Sequence, residues 1–402
     1  MKKKLLLVIT TIVVLVMILF NYLFNNVDVN SERIVVNGIE NFNPTADRSG
    51  TKESYLLFYP ADSRVSQGAT LVKEVTTDGE VMKVYEIKDD EFRRMEIHQK
   101  PNEINKLYIS LFGEAVINNW YYTFDIDQQR FNKVDIEYFN YDVGVDHIKH
   151  YGPDVLFQTI VSYKTGDQNY DPETGLFNMS ISNYTTEKSY ETEYGYPPNW
   201  SPILQSGDTV IYAGNGQVND AGIAENAFVA LINSQTGLVE YTNFDRQSTE
   251  FFPLYATDEY AYIIGNAGKI FVLDNENNYS TYEPFNDLLP QDYYYNIDGF
   301  GTLLISDGVV LHYLYSETAG ITLGLLSLIG EPTFTPLDKS YIDKDNSYRI
   351  LYQDTINEEI YLLESTSNND GNLLVINNQS FDLIHKIPIE YEYLLDFVIK
   401  NE

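Results

Sequence analysis

A unit of about fifty residues recurs seven times along this chain, and it constrains the fold more than any single motif. Each unit opens on a short polar turn and runs at once into an apolar, tyrosine-rich segment. The openings are Glu53-Ser54, Asn105-Lys106, Pro153-Asp154, Gly207-Asp208, Asp258-Glu259, Asp307-Gly308 and Glu358-Glu359. Between the second residues of these pairs the spacings are 52, 48, 54, 51, 49 and 51. The segments that follow, such as Tyr55-Leu56-Leu57-Phe58, Leu107 to Leu111 and Ile360 to Leu363, are rich in β-branched and aromatic residues and too short for helices. Most are apolar at consecutive positions, which suits strands covered on both faces.

Each apolar run is followed by a second strand, a tight turn and a third. Leu71 to Thr76 and Glu80 to Ile87 flank Thr77-Asp78-Gly79, and an Asp-Gly turn is a strong hairpin signal. The pattern repeats around Asp127 to Arg130, Ser234 to Gly237, Asn275 to Asn278 and Asn378 to Ser380. A further strand precedes most openings, as in Phe92 to His98, Pro253 to Ala256, Thr302 to Ile305 and Tyr348 to Tyr352. Four strands per unit at this period predict an all-β fold, a seven-bladed β-propeller of four-stranded blades over residues 53–402. The last strand, Tyr393 to Ile399, is nearly in phase to lead the first blade, which would close the ring and remove its free edges. Arg33 to Asn37 is the alternative leading strand, or an extra outer one.

The N-terminus predicts a membrane anchor. Lys2, Lys3 and Lys4 precede Leu5 to Phe24, twenty residues interrupted only by Thr10, Thr11 and Asn21. That length spans a bilayer as a single transmembrane helix. The lysines hold residues 1–4 in the cytoplasm and send the rest outward. A cleaved signal peptide would need a shorter apolar run and small residues at the cleavage site, and neither is present near Asn21 to Asp28. Residues 25–52 then read as a linker. The expected location is the cell membrane, single-pass, with an extracellular C-terminal domain.

Beyond residue 27 the chain holds 23 basic and 59 acidic side chains, a formal −36. Such a field repels nucleic acid and anionic lipid, which both need clustered Lys and Arg. It favours cations and basic partners. With no Cys, the chain has no disulfide, zinc-thiolate site or cysteine nucleophile.

One segment carries a family resemblance. Phe228-Val229-Ala230-Leu231-Ile232-Asn233-Ser234-Gln235-Thr236-Gly237-Leu238-Val239-Glu240-Tyr241 resembles the repeat of the quinoprotein-like and lactonase-like propellers, in which a strand ends in a polar residue and a Thr-Gly turn leads to the next. Asp171-Pro172-Glu173-Thr174-Gly175 echoes that turn. The only Trp residues are Trp120 and Trp200, so the recurrent Trp of quinoprotein blades is missing. The resemblance implies the propeller fold and carries no functional residues with it.

Candidate chemistry is sparse. Asp167, Asn169, Asp171 and Glu173 place oxygen side chains at alternate positions of one loop, a pattern that can wrap calcium, although Pro172 stands where a glycine belongs. Asp343 to Ser347 is a weaker version, and otherwise both are solvated turns. His147 and His150 would share a metal only across a turn or bulge, while His312 and His385 read as isolated. No nucleophile elbow, phosphate loop or dinucleotide fingerprint is present. Aromatic clusters are the remaining surface signal, among them Trp120-Tyr121-Tyr122 and Phe251-Phe252, and tyrosines within strands read as core. Tyr194, Tyr196 and Trp200, with Pro197-Pro198, and Tyr293, Tyr294 and Tyr295 read as loops able to stack on a sugar or peptide.

These features favour a membrane-anchored extracytoplasmic binding or scaffold module for a protein, peptide or cell-wall polymer. The alternative is an extracytoplasmic enzyme of lactonase, glycosidase or lyase type with its site at the central channel. A third reading is an accessory subunit of a neighbouring membrane protein.

Overall fold

Runs of β-branched and aromatic residues bounded by turn formers fold into seven small sheets in the computed structural model. It describes residues 32–44, 53–61, 68–99, 103, 105–112, 119–137, 144–151, 154–160, 170–171, 176–183, 188–195, 203–218, 224–286, 293–294, 301–316, 320–366, 370–390 and 395–401, with backbone alone from 144 to 195. No helix among them is long and apolar enough to cross a membrane, and residues 5–24 lie outside them.

Each sheet is an antiparallel meander whose first strand is here called leading and whose last is called closing. The second sheet runs Arg94–Gln99, Lys106–Phe112, Trp120–Asp125, Arg130–Asp135. The third runs Gly144–Tyr151, Asp154–Ile160, Leu176–Asn183, Lys188–Gly195, with Tyr170–Asp171 paired to Leu176–Asn183. The fourth runs Leu204–Ser206, Thr209–Val218, Ala224–Asn233, Val239–Thr242, and the fifth Phe251–Ala256, Tyr260–Gly265, Ile270–Asp274, Tyr279–Tyr282. The sixth comprises Thr302–Ser306, Val309–Ser316, Gly320–Ser327 and Thr333–Pro336, with Tyr293–Tyr294 on the far end of its second strand. The seventh comprises Ser347–Asp354, Glu359–Ser365, Asp370–Asn377 and Leu383–Glu390.

The first sheet joins both ends of the described chain. Its leading strand is Phe397–Asn401, paired with Ser54–Tyr59 in the register Ser54 to Asn401 and Phe58 to Phe397. Thr70–Thr76 and Val81–Lys88 follow, and Glu32–Asn37 adds a fifth strand parallel to Val81–Lys88. The C-terminal strand therefore leads the first sheet, as its phase predicts, although it begins at Phe397 rather than Tyr393. Arg33 to Asn37 takes the outer position. The expected linker thus contains structure: after Gly38 (φ 79°), Ile39 and Phe42 are fully buried. Phe42 meets Phe58 and Tyr85 edge-on, at centroid distances of 5.4 and 5.3 Å.

The turns explain the period. Asn233, Asp274 and Asn377 each end a third strand, and each side chain accepts two backbone N–H groups of the turn that follows. Asp125 and Thr76 do the same with one N–H each. One residue in each of these turns adopts positive φ: Gly79, Gln129, Gly237, Asn277 and Phe381.

Apolar clusters lie between consecutive sheets. Ile263 packs with Ile211 and Val229 of the fourth sheet, whereas its neighbour Ile264 packs with Val310 and Leu326 of the sixth. Leu311 likewise faces Ile360 and Leu362 of the seventh. The largest cluster joins the seventh, first and second sheets through Tyr361, Phe58, Phe397, Phe124 and Phe131. Alternate residues of one strand thus bury against opposite neighbours, which is why the second strands carry apolar residues at consecutive positions. Tyr121 and Tyr122 are buried, as expected of in-strand tyrosines, and Phe251 and Phe252 are buried too rather than forming a surface cluster.

Candidate functional site

The best-defined constellation lies where the leading strands of the seventh, first and second sheets meet. Asp396 immediately precedes Phe397–Asn401, and its N–H donates to the Phe58 carbonyl at 3.1 Å. Its carboxylate accepts Nε and Nη2 of Arg94 at 2.6 and 2.5 Å, and the N–H of Met95 at 3.0 Å. Arg349 approaches the same carboxylate at 3.5 Å. Asp396 and Arg94 are both buried. Two-point arginine–carboxylate geometry with an added backbone donor is what makes a buried carboxylate tolerable. At the other end of these strands, the Gln99 side-chain amide donates to the Gln353 backbone carbonyl at 2.5 Å and accepts from the Gln353 backbone N–H at 2.9 Å.

A second cluster crosses the seventh and first sheets. Lys400 reaches Glu359 at 2.8 Å and Glu53 at 3.0 Å. Tyr361 donates to Glu359 at 2.9 Å, and Tyr55 lies 3.3 Å from it. Burial pushes the Glu359 carboxyl up, and Lys400 only partly offsets this. Burial also works against the Lys400 ammonium, but its two carboxylate partners outweigh that and hold its pKa above the ordinary lysine value. Glu53 is also desolvated but is held low by Lys400 and His385. His385, which reads as isolated in sequence, lies 3.5 Å from Glu53 and packs edge-on against Tyr55. The Tyr352 hydroxyl donates to the Val398 carbonyl across the same seam.

Two further polar centres are internal. Glu364 is fully buried and accepts from Asn346, Tyr348, Asn372 and Lys386 at 2.7 to 3.1 Å. Those donors hold its carboxyl low despite burial. Asn346 is thereby drawn away from the weak calcium pattern of Asp343 to Ser347, where Asp343 instead caps the N–H of Asp345. His312 is fully buried with Nδ1 3.1 Å from the Thr302 hydroxyl, and burial lowers its pKa to about 4.

Asp167, Asn169, Glu173, Tyr196, Trp200 and Tyr295 lie outside the described residues. Asp171 lies in the short strand Tyr170–Asp171 and pairs with Leu176. Tyr194 falls within Lys188–Gly195, and Tyr293 and Tyr294 pair with Ser316 and Tyr315, so their backbone is strand rather than the expected loop. His147 and His150 pair regularly with Gln158 and Val155; the ladder's register shift falls on the far side of His147, before Val145, so neither turn nor bulge lies between the two histidines. Among the described residues no three His, Asp or Glu side chains are grouped to hold a metal.

Sequence reading missed a set of exposed apolar side chains. Leu238, Tyr260, Tyr279, Ile329, Ile356 and the Leu383-Ile384 pair are all exposed, Leu238 and Ile329 by 69%. All stand in or beside the turns that enter the second and closing strands of sheets four to seven. These turns share one end of the molecule: a Cβ at Gly207 would lie 3.4 Å from the Asp258 carbonyl and 3.3 Å from Asn275, both turn residues of the next sheet. The available signal was an apolar residue inside a turn, as in Thr236-Gly237-Leu238 and Ile329-Gly330-Glu331-Pro332.

No protein-family model matches the chain, and no curated protein sequence does. Among solved structures it is similar to apo AztD from Citrobacter koseri, at 11% identity and a TM-score of 0.42 over 87% of this chain and 98% of that one. It is also similar to the periplasmic gluconolactonase PpgL of Pseudomonas aeruginosa, at 11% identity and 0.44 over 87% and 99%. The propeller domain of the Trilobed protease from Pyrococcus furiosus matches at 12% and 0.44 over 82% and 92%. Consecutive meander sheets, cores between neighbours and a C-terminal leading strand in the first sheet place the chain among the β-propellers.

Proposed function

We propose that this chain is a seven-bladed propeller held outside the cell by residues 5–24 and acting as a binding module. Its partner is a protein, peptide or cell-wall polymer. The observation that carries this reading is the use of the charges on the leading strands. Asp396 binds Arg94 and is approached by Arg349, and the Gln99 side chain ties to the Gln353 backbone at the other end of these strands. These leading-strand side chains are engaged in joining the sheets, while Glu96 and His98, on the same strand as Arg94, lie buried 3.9 Å apart. Exposed apolar groups lie instead on turns, where propeller loops make contacts.

The test is a pull-down of residues 28–402 against cell-envelope extract, with and without calcium. Recovery of a saturable partner is the expected result. Turnover of a sugar or lactone library with no partner recovered would replace the binding reading by the enzymatic one.

A further inference from the structure

The exposed apolar turn residues share their end of the molecule with the point where the chain enters the fold. Glu32–Asn37 runs parallel to Val81–Lys88, and Glu32 pairs with Lys83, just beyond the Thr77 to Glu80 turn. Its first residue therefore stands at the turn end of the first sheet. That end is common to the seam as well, because Lys400 and Glu53 of the first sheet meet Glu359 and His385 of the seventh there. Only residues 25–31 separate Phe24, the end of the apolar N-terminal run, from Glu32. Seven residues span at most about 25 Å when fully extended. A chain anchored through residues 5–24 thus carries its turn end close to the membrane.

The turns themselves are acidic, and the lysines near them are already engaged, Lys339 with Asp382 at 2.8 Å and Lys400 with Glu53 and Glu359 in the seam. The turns 207–208, 234–238, 257–259, 275–278, 307–308, 328–332, 355–358 and 378–382 contain no lysine or arginine. They do contain Asp208, Asp258, Glu259, Glu276, Asp307 and Glu331, all exposed, followed by Glu358 and Asp382. Exposed apolar groups set among carboxylates are repelled by an anionic lipid surface and complement apolar groups set among basic ones. Seven of the ten large hydrophobic side chains exposed among the described residues stand in or beside these turns, and a concentration of exposed apolar groups at one end marks an interaction site.

We propose that the turn end of sheets four to seven is a docking face for an integral membrane protein whose outward-facing loops carry lysine or arginine beside apolar side chains. This rests on the anchored reading of residues 5–24. Leu238, Tyr279 and Ile329 supply the apolar contacts, and Asp258 and Glu276 set the charge preference.

The chain has no cysteine, so each single-cysteine variant carries one thiol. Ile329→Cys and Leu238→Cys are compared in the full chain, in intact cells, with Tyr315→Cys. Tyr315 is exposed but lies towards the opposite end of its strand. Each thiol is labelled with a benzophenone maleimide and irradiated, and the adducts are sequenced. The expected result is an adduct from positions 329 and 238 with an integral membrane protein bearing basic outward loops, and none from position 315. Adding Asp258→Lys and Glu276→Lys is expected to cut the yield about ten-fold, because rim charges govern encounter and register. Equal yields from all three positions, adducts only with lipid or soluble protein, yields unmoved by charge reversal, or no adduct at all would each overturn the docking face. Alkaline carbonate extraction of the same membranes separates the two readings. Release of the chain refutes the anchor itself, whereas retention without the expected adduct refutes only the docking face.

Discussion

Arg94 and Asp396 lie 302 residues apart and meet through two hydrogen bonds of 2.6 and 2.5 Å in the interior. The pair fastens the C-terminal strand, which belongs to the first sheet, to the leading strand of the second. Arg349 joins from the seventh, so one carboxylate serves three sheets. Removing it takes from both guanidinium groups the buried carboxylate they share. Asp396→Ala is expected to cost about 3–5 kcal/mol, read as a lower urea midpoint. Arg94→Met combined with Asp396→Leu should lose much less than Asp396→Ala. Equal losses would show that packing rather than charge holds this junction.

Lys400 gives a pH test. Glu359 is almost wholly buried and its carboxyl is already pushed up by burial. Lys400→Met removes the cation that offsets that burial, with an expected loss of about 3 kcal/mol at neutral pH. A carboxyl raised in the folded state binds more protons folded than unfolded. Stability therefore falls as pH rises from the ordinary glutamate value through the raised one. The variant should lose more midpoint between pH 5 and pH 7.5 than the parent chain does, and parallel curves would disprove the coupling.

His312 has the opposite sign. Its folded pKa of about 4 lies below the ordinary 6.5, so the unfolded chain binds the extra proton between those values. Its contribution is fully present above pH 6.5 and declines as pH falls towards 4. The loss amounts to about 3 kcal/mol at a cost of 1.36 kcal/mol per pH unit. His312→Leu should flatten the stability curve over that window, whatever its effect on stability at pH 7.

Two glycines separate backbone strain from collision. Gly237 (φ 74°) has open space around the Cβ position, whereas a Cβ at Gly320 (φ 75°) would lie 2.3 Å from the Lys344 carbonyl oxygen. Gly237→Ala is expected to cost about 1 kcal/mol, the left-handed penalty alone. Gly320→Ala adds displacement of the 343–346 turn and should cost at least about 2 kcal/mol more than that. Thermal unfolding of the two variants side by side checks the difference.

The repeat was legible because local chemistry writes it. Asn233, Asp274 and Asn377 close their turns by the same side-chain hydrogen bonds, and a chain with that device every fifty residues shows its period. Gln129 and Phe381 occupy positive-φ turn positions where Gly79 and Gly237 stand elsewhere, which blurs the signal in their sheets. The seam was less legible. Arg94, Asp396, His385 and Glu53 look unrelated along the chain, and only sheet-to-sheet placement joins them. Ile34 and Val36 mark Glu32–Asn37 as a strand, but nothing local says that its partner is Val81–Lys88 or that it runs parallel. The exposed turn residues have the composition of core, so their role needed the fold before it could be seen.

The order of synthesis gives the terminal strand a timing role. Ser54 and Asn401 are 347 residues apart, which at ordinary elongation rates is roughly 20–70 s. Throughout that interval Ser54–Tyr59 is an open edge of apolar residues that will end up buried. The domain reaches its native topology only after Phe397–Asn401 has arrived. For the exported chain we propose, that same connectivity would delay closure until synthesis ends, and protecting the edge would fall to whatever receives it on the far side.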